Sequence, residues 1–198
     1  MRRCFMAVPQ PNAPGATALV IPASPTPAGV AAFRRRHIHH PGAVVPFHVT
    51  VAAPFLPLAS LDDEALARLR RVAAAIRPFE FVAGSICCFP TTSVLWLAPS
   101  PVAPFEACAE AVYRAFPCVR PDVGQPTFHL TIGLGRTPDD VADMLAAFRA
   151  TLERRLPFRL RARHLDLYIE ADGSYRRRAR LVLGRSERQG PVGRGAAD

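Results

Sequence analysis

Hydrophobic and polar residues alternate in two stretches of the chain, and both stretches carry the same four-residue pattern. The first is Phe47-His48-Val49-Thr50 and the second is Phe128-His129-Leu130-Thr131. Because successive side chains of an extended strand point to opposite faces, each stretch predicts a strand with one apolar face. The opposite face of each strand then carries one imidazole and one hydroxyl side by side.

Apolar runs and helical spacing predict the elements around the first of these strands. The predicted elements are a buried strand at Thr17–Pro22, a helix over residues 28–36, a helix that begins near Asp62 and ends before Pro78, and a long strand at Phe79–Phe89. Around the second strand the same order recurs. It comprises a strand over 94–98, a helix over 104–116, a helix that begins after Thr137 and reaches about Arg155, a long strand from Phe158, and a final strand that follows the turn Asp172-Gly173 and ends at Gly184.

The repeated order of strand, helix, His-x-Thr strand, helix and strand indicates an internal duplication of about 17–90 and 93–184. Two β-α-β units related by a pseudo-twofold axis would place the two His-x-Thr strands across one central groove. We therefore predict a single bilobal α+β domain over 17–184. The Pro/Ala/Gly-rich residues 1–16 predict a flexible lead-in, and the Gly/Arg-rich residues 185–198 predict a disordered tail.

The composition favours an anionic partner. The chain has 198 residues, of which 49% are hydrophobic, and its formal net charge is +9. Such a charge suits a nucleotide, RNA or a phospholipid head group. All 25 basic residues are Arg, whose planar fork matches phosphate. Genomic base composition explains the same bias, together with the abundance of Ala, Pro and Gly.

Cysteine spacing and hydropathy predict a reduced, cytoplasmic protein that does not enter a membrane. The five cysteines include no Cys-x-x-Cys pair, which argues against a disulfide framework or a zinc site. We interpret the adjacent Cys87 and Cys88 as core residues. Residues 43–61 carry no Asp, Glu, Lys or Arg, but prolines and strand-like alternation exclude a membrane-spanning helix there. Prolines also interrupt the apolar run behind Arg2 and Arg3, so no signal peptide is predicted.

The two His-x-Thr pairs suit chemistry at phosphorus. Neither motif has a carboxylate or cysteine beside it, which argues against a Ser-His-Asp triad or a thiolate nucleophile. One imidazole can take a proton from the nucleophile while the other gives a proton to the leaving oxygen. Imidazoles titrate near pH 6.5, so we expect one to be neutral and the other protonated. The hydroxyls can donate to non-bridging phosphate oxygens. This chemistry requires no metal and no cofactor.

The motifs FHVTVAAPF and FHLTIGLG, with their spacing, resemble those of the two-histidine phosphoesterase superfamily. That superfamily includes 2′-5′ RNA ligase-like proteins and RNA 2′,3′-cyclic phosphodiesterases, and the resemblance spans residues 17–184. It implies a bilobal α+β fold with antiparallel sheets around a positively charged groove. It also implies that His48 and His129 are the acid–base pair and that Thr50 and Thr131 bind phosphate.

The same resemblance implies a monomer that acts on RNA ends or on a small nucleotide with a cyclic phosphate. One position departs from the pattern of the superfamily. Many members carry a basic residue just after the second motif, where this chain has Leu134 and reaches an arginine only at Arg136.

Several other basic and aromatic residues allow two readings each. His37, His39 and His40 could hold a metal with His48, but their spacing favours a solvated loop. Seven further arginines could face a substrate or merely solvent; they are Arg159, Arg161, Arg163, Arg176–Arg178 and Arg180. Either of two tyrosines, Tyr168 or Tyr175, could stack on a base. Two functions remain open: an enzyme that opens a cyclic phosphate or cleaves or forms a 2′-5′ phosphodiester, and a module that binds RNA or a nucleotide without turnover.

Overall fold

The computed structural model describes residues 15–89, 91–122 and 126–184. Most of the predicted lead-in and the whole predicted tail lie outside these residues. The last two residues of the predicted lead-in lie within them and join the sheet. The Gly15 amide donates to the Glu170 carbonyl at 3.3 Å, and the Ala16 carbonyl accepts from the Glu170 amide at 2.7 Å.

Eight strands form one curled, antiparallel sheet, which confirms the predicted α+β class. The strand order is β6-β3-β4-β5-β2-β1-β7-β8. The strands are β1 (Thr17–Pro22), β2 (His48–Ala52), β3 (Phe79–Phe89), β4 (Val94–Ser100), β5 (Leu130–Leu134), β6 (Phe158–Ala162), β7 (His164–Ala171) and β8 (Ser174–Val182). The two strands that carry the His-x-Thr motifs, β2 and β5, are therefore neighbours at the centre of the sheet.

Four α-helices connect the strands in the described part of the chain: α1 (Val30–His37), α2 (Asp63–Ala75), α3 (Ala103–Ala115) and α4 (Pro138–Thr151). Asp62 caps α2 by accepting from the Ala65 amide, and Thr137 and Asp140 form a reciprocal capping box at the start of α4. None of the helices in the described ranges has the length and apolarity needed to cross a bilayer.

The predicted alternation in the two motifs separates the faces of the sheet. Phe47, Val49, Leu130 and Ile132 are buried in one hydrophobic core that also includes side chains of all four helices. We call this side of the sheet the core face. His48, Thr50, His129 and Thr131 are half-buried and lie on the opposite side, which we call the site face.

Each half of the sheet contains strands from both predicted repeats. β3 of the first repeat pairs with β4 of the second, whereas β7 of the second pairs with β1 of the first. In the half formed by β6, β3, β4 and β5, the strand from the first repeat is β3. In the half formed by β2, β1, β7 and β8, the strands from the second repeat are β7 and β8. The central groove of the sequence prediction corresponds to the middle of this single sheet, where β2 meets β5.

The long strand predicted from Phe158 is wrong, because the structure divides it into β6 and β7. The two strands pair with different partners, β3 and β1, and Arg163 lies between them. Two backbone hydrogen bonds, of 2.7 and 3.2 Å, join Arg161 to Ser24, which lies just beyond β1. The curled sheet thus brings its β6 edge close to the end of β1, and the chain passes directly between them. The sequence does mark this break, because apolar residues occupy even-numbered positions before it and odd-numbered positions from Leu165 onward. This change of phase at Arg163-His164 is the signal that could have located it.

The prediction that Cys87 and Cys88 are core residues is also wrong. Cys87 is half-buried and Cys88 is exposed. The reason is the short reach of the neighbouring strand, since β6 pairs with β3 only along residues 79–83. This part of β3 therefore pairs with β4 alone, and one of its edges is left uncovered.

Candidate active site

The four residues of the two motifs form one cluster on the site face. β2 and β5 are antiparallel, and Val49 lies opposite Leu130. This register places His48 opposite Thr131 and Thr50 opposite His129. Directly opposed side chains have Cβ atoms about 5 Å apart, and diagonal neighbours such as the two histidines are about 7–8 Å apart. The structure therefore brings the predicted imidazoles and hydroxyls together.

Both imidazoles are oriented by the backbone just before them. The Nδ1 atom of His48 lies 2.5 Å from the Pro46 carbonyl oxygen, and that of His129 lies 2.8 Å from the Thr127 carbonyl oxygen. Because a carbonyl oxygen only accepts, Nδ1 must donate a hydrogen in both rings. Nε2 of each neutral ring then keeps a lone pair for the site.

Burial changes the protonation of both imidazoles. The pKa of His48 is lowered to about 4, chiefly by desolvation. The hydrogen bond to Pro46 raises this pKa, whereas the positive charges of Arg34 and of a protonated His129 lower it. Desolvation also lowers the pKa of His129, while its bond to Thr127 raises it. At neutral pH both rings of the free protein are thus neutral, contrary to the expectation of one neutral and one protonated imidazole.

We predict that this burial makes folding sensitive to acid. An unfolded chain protonates His48 near pH 6.5, whereas the folded protein resists protonation until about pH 4. Between these values the unfolded state binds more protons, so stability falls as the pH falls. His48 should account for about 3 kcal/mol of this loss. Urea denaturation from pH 7 to pH 4 should show a flatter pH dependence for His48→Asn than for the wild type; parallel curves would contradict the prediction.

An aromatic wall that the sequence did not reveal flanks His129. The ring centroids of Phe89 and Trp96 lie 5.0 and 5.8 Å from that of His129, and the two aromatic rings stack at 4.9 Å. Trp96 reaches the site face because it lies opposite Thr131, between the core residues Leu95 and Leu97. Residues 94–98 are all apolar, so the sequence has no polar alternation there that would assign Trp96 to one face.

A pocket of about 510 Å³ opens beside Thr50 and His129. Its apolar lining includes Phe55, Leu56 and Tyr113. Arg120 also lines it, stacks over the Tyr113 ring at 5.2 Å, and forms an ion pair with Glu110 at 2.7 Å. These residues come from segments far apart in the chain, and no local pattern indicates that they meet.

Carboxylates neutralise most of the arginines considered as substrate contacts. Asp166 is fully buried, and Arg180 donates to it at 2.8 and 3.0 Å. The other pairs are Arg177 with Asp166 at 3.7 Å, Arg161 with Glu80 at 2.8 Å and Arg176 with Asp172 at 3.4 Å. Tyr168 is buried against Val20 and Val45, which excludes it as an exposed stacking platform.

The three histidines at the end of α1 and just beyond it lie at a different pocket. His37, His39 and His40 line a space of about 640 Å³ together with Arg136 and Asp140. Within the described residues, no group of three or more His, Cys, Asp or Glu side chains could hold a metal ion. Arg136 lines this second pocket and not the one beside Thr50 and His129. The arginine after the second motif therefore does not supply a charge to that pocket.

Fold and site together define the class of protein. An α+β fold with one curled antiparallel sheet, and with two His-x-Thr pairs on its central strands, characterises the two-histidine phosphoesterases. Residues 21–174, more than three quarters of the chain, match the 2′-5′ RNA ligase superfamily, and the chain belongs to that superfamily.

Solved structures share this fold. Escherichia coli LigT complexed with NADP+ aligns with a TM-score of 0.52 at 18% identity, over 87% of this chain and 100% of LigT. The complex of LigT with 3′-AMP gives 0.51 at 16% identity, over 87% and 100% of the two chains. TT0787 of Thermus thermophilus gives 0.51 at 15% identity, over 85% and 98%. No curated protein matches the sequence.

Proposed function

We propose that the protein is a metal-independent phosphoesterase that acts on a 2′,3′-cyclic phosphate or a 2′-5′ phosphodiester, at an RNA end or in a small nucleotide. The observation that carries this proposal is the register of β2 and β5, which sets two His/Thr pairs on one face of the sheet. An acid, a base and two hydroxyl donors are then within reach of a single phosphate.

The reaction on a cyclic phosphate is an in-line displacement. Water forms a new bond to phosphorus while the bond from phosphorus to one ribose oxygen breaks. One imidazole takes the proton of the water at Nε2, and the other delivers a proton from Nε2 to the leaving oxygen. The residues alone do not decide which imidazole has which role; the family resemblance weakly favours His129 for the first and His48 for the second. Thr50 and Thr131 donate to the non-bridging oxygens, where negative charge grows.

The electrostatics of the empty site fit an anionic substrate. A general acid must be protonated before it can donate, whereas burial keeps His48 neutral at pH 7. A bound phosphate favours the charged form of a nearby imidazole and raises its pKa. Substrate binding would therefore create the acid in the complex that needs it.

The test is an assay of 2′,3′-cyclic nucleotides and of oligonucleotides that end in a cyclic phosphate, with EDTA present. Because imidazoles perform the proton transfers, we expect turnover on at least one substrate to be unchanged by chelation. A double variant, His48→Ala with His129→Ala, is the control for contaminating activity. Loss of activity in EDTA with recovery on adding one divalent ion would instead assign a metal-dependent phosphoesterase.

The alternative is a binding module that uses the same groove for RNA or a nucleotide without turnover. It also accounts for two neutral imidazoles in the free protein, because binding without turnover requires no proton donor. It predicts saturable binding of nucleotides by calorimetry without any product across the substrate panel. Product formation that depends on both histidines would exclude it.

A further inference from the structure

A buried arginine that neither motif contains lies close to His48. Arg34 is on α1 and is only 7% exposed. Its Nη2 atom donates to the Val45 carbonyl at 3.1 Å, and its guanidinium carbon lies 5.9 Å from the centre of the Phe47 ring. Burial lowers the pKa of Arg34 to about 10, so the group remains charged at neutral pH.

Arg34 lacks a counter-charge in the described part of the chain. No described carboxylate lies within ion-pair distance of its guanidinium, although several other arginines have such a partner. Its Nε atom is buried and has no hydrogen-bond partner among the described residues. A desolvated cation costs free energy unless an anion and hydrogen bonds compensate it. The described residues therefore leave the buried charge of Arg34 without a compensating negative charge.

The guanidinium of Arg34 and the imidazole of His48 bind consecutive carbonyls of the backbone before β2. Arg34 donates to the carbonyl of Val45, and His48 donates to that of Pro46, the next residue. The charge of Arg34 also opposes protonation of His48. Two positive charges can coexist here only when a bound anion offsets their repulsion.

The other charged groups around His48 do not supply that anion. His129 on β5 adds a further opposing charge when it is protonated. β1 places Pro22 opposite His48. Beyond β1, β7 carries His164 and Asp166, two strands or about 10 Å away, and Asp166 is already engaged by Arg180.

We propose that Arg34 is a further phosphate-binding residue of this site, whose fixed charge draws the substrate's phosphate to the His48 side and makes protonation of His48 depend on that phosphate. Arg34 would thus provide the guanidinium that Leu134 cannot. The inference rests on the proposed phosphate chemistry of the site but not on turnover. It predicts that inorganic phosphate alone is sufficient to change the state of His48.

Phosphate binding and imidazole titration test the proposal without a substrate. Calorimetry would measure the affinity for inorganic phosphate, and NMR of ¹⁵N-labelled histidines would follow the pKa of His48. Removing a charge-assisted hydrogen bond weakens binding by about 10-fold or more. We therefore expect Arg34→Met to weaken phosphate binding by that factor, to raise the pKa of His48 in the free protein, and to reduce the shift that phosphate causes.

Arg35→Met is the matched control, because Arg35 is exposed on the same helix and its replacement removes the same formal charge. Arg35→Met should leave the affinity for phosphate within twofold of the wild type and the pKa of His48 unchanged. If Arg34→Met does not fold, Arg34→Lys keeps the charge but loses the planar fork. This second variant should keep the pKa of His48 low while weakening the binding of phosphate.

Two results would overturn the inference. The first is an Arg34→Met protein whose phosphate affinity and His48 titration are the same as in the wild type. If Arg34→Met does not fold, the equivalent result is an Arg34→Lys protein with unchanged phosphate affinity. The other is a wild-type protein whose His48 does not respond to phosphate. Failure of the proposed function gives a different pattern, in which phosphate binds and shifts His48 but no cyclic substrate is turned over.

Discussion

Replacing either His48 or His129 with alanine should lower the turnover of a cyclic phosphate at least ~10²-fold, the lower end for loss of a general acid or base. Each imidazole has its Nδ1 occupied by a backbone carbonyl, so only Nε2 is left for proton transfer, and alanine removes it. The measurement is kcat with saturating substrate. A profile of rate against pH should have two limbs in the wild type, and each variant should lose one limb.

The two threonines provide the comparison within the same cluster. Thr50→Ala and Thr131→Ala should each lower kcat less than the change at the histidine of the same motif, because each removes one neutral donor and leaves the proton route intact. Both threonine variants should also keep a two-limbed pH profile. Near wild-type turnover in both His48→Ala and His129→Ala would leave the groove as a binding site only.

Truncating Phe47 to alanine should destabilise the protein by about 3–5 kcal/mol, the usual range for a buried phenylalanine. Phe47 is 1% exposed, belongs to the main core and immediately precedes His48. The loss is a large part of the roughly 5–15 kcal/mol that stabilises a typical domain. Urea denaturation at pH 7 would measure the change in the free energy of unfolding.

Val44→Ala is the matched control, since Val44 lies in the same segment but is 58% exposed. Substitutions at such positions usually change stability by less than about 0.5 kcal/mol. A loss for Phe47→Ala no larger than that of the control would contradict the assignment of Phe47 to the core. Phe47→Leu keeps an apolar side chain and should retain more stability than Phe47→Ala.

Local sequence pattern was sufficient for the elements and for the central cluster. Alternation around His48 and His129 identified the faces of two strands, and the capping signal at Thr137 located the start of α4. Strand order was beyond such patterns, because pairing of β3 with β4 and of β7 with β1 joins segments that share no local signal. The break at Arg163 does have a local signal, a change of phase in the alternation of apolar residues, which the prediction of one long strand overlooked.

The electrostatics of the site depend on burial, which emerges only from the assembled fold. The sequence gives His48 the ordinary pKa of an imidazole, whereas desolvation in the folded protein lowers it to about 4. In the sequence Arg34 is one of three consecutive arginines at the end of the predicted helix, and only packing distinguishes it from the exposed Arg35 and Arg36. Trp96 likewise belonged to an apolar run whose two faces meet different surroundings.

The position of β1 within the sheet has a consequence for synthesis of the chain. β1 lies between β2 and β7, and Thr17 pairs with Ile169, which the ribosome adds about 150 residues later. A nascent chain that ends after Leu134 already contains both imidazoles, but it lacks β7 to cover the outer edge of β1 and β6 to cover β3. Bare strand edges pair readily with other chains. A C-terminally truncated product therefore carries every residue proposed for catalysis and still faces aggregation before it can act.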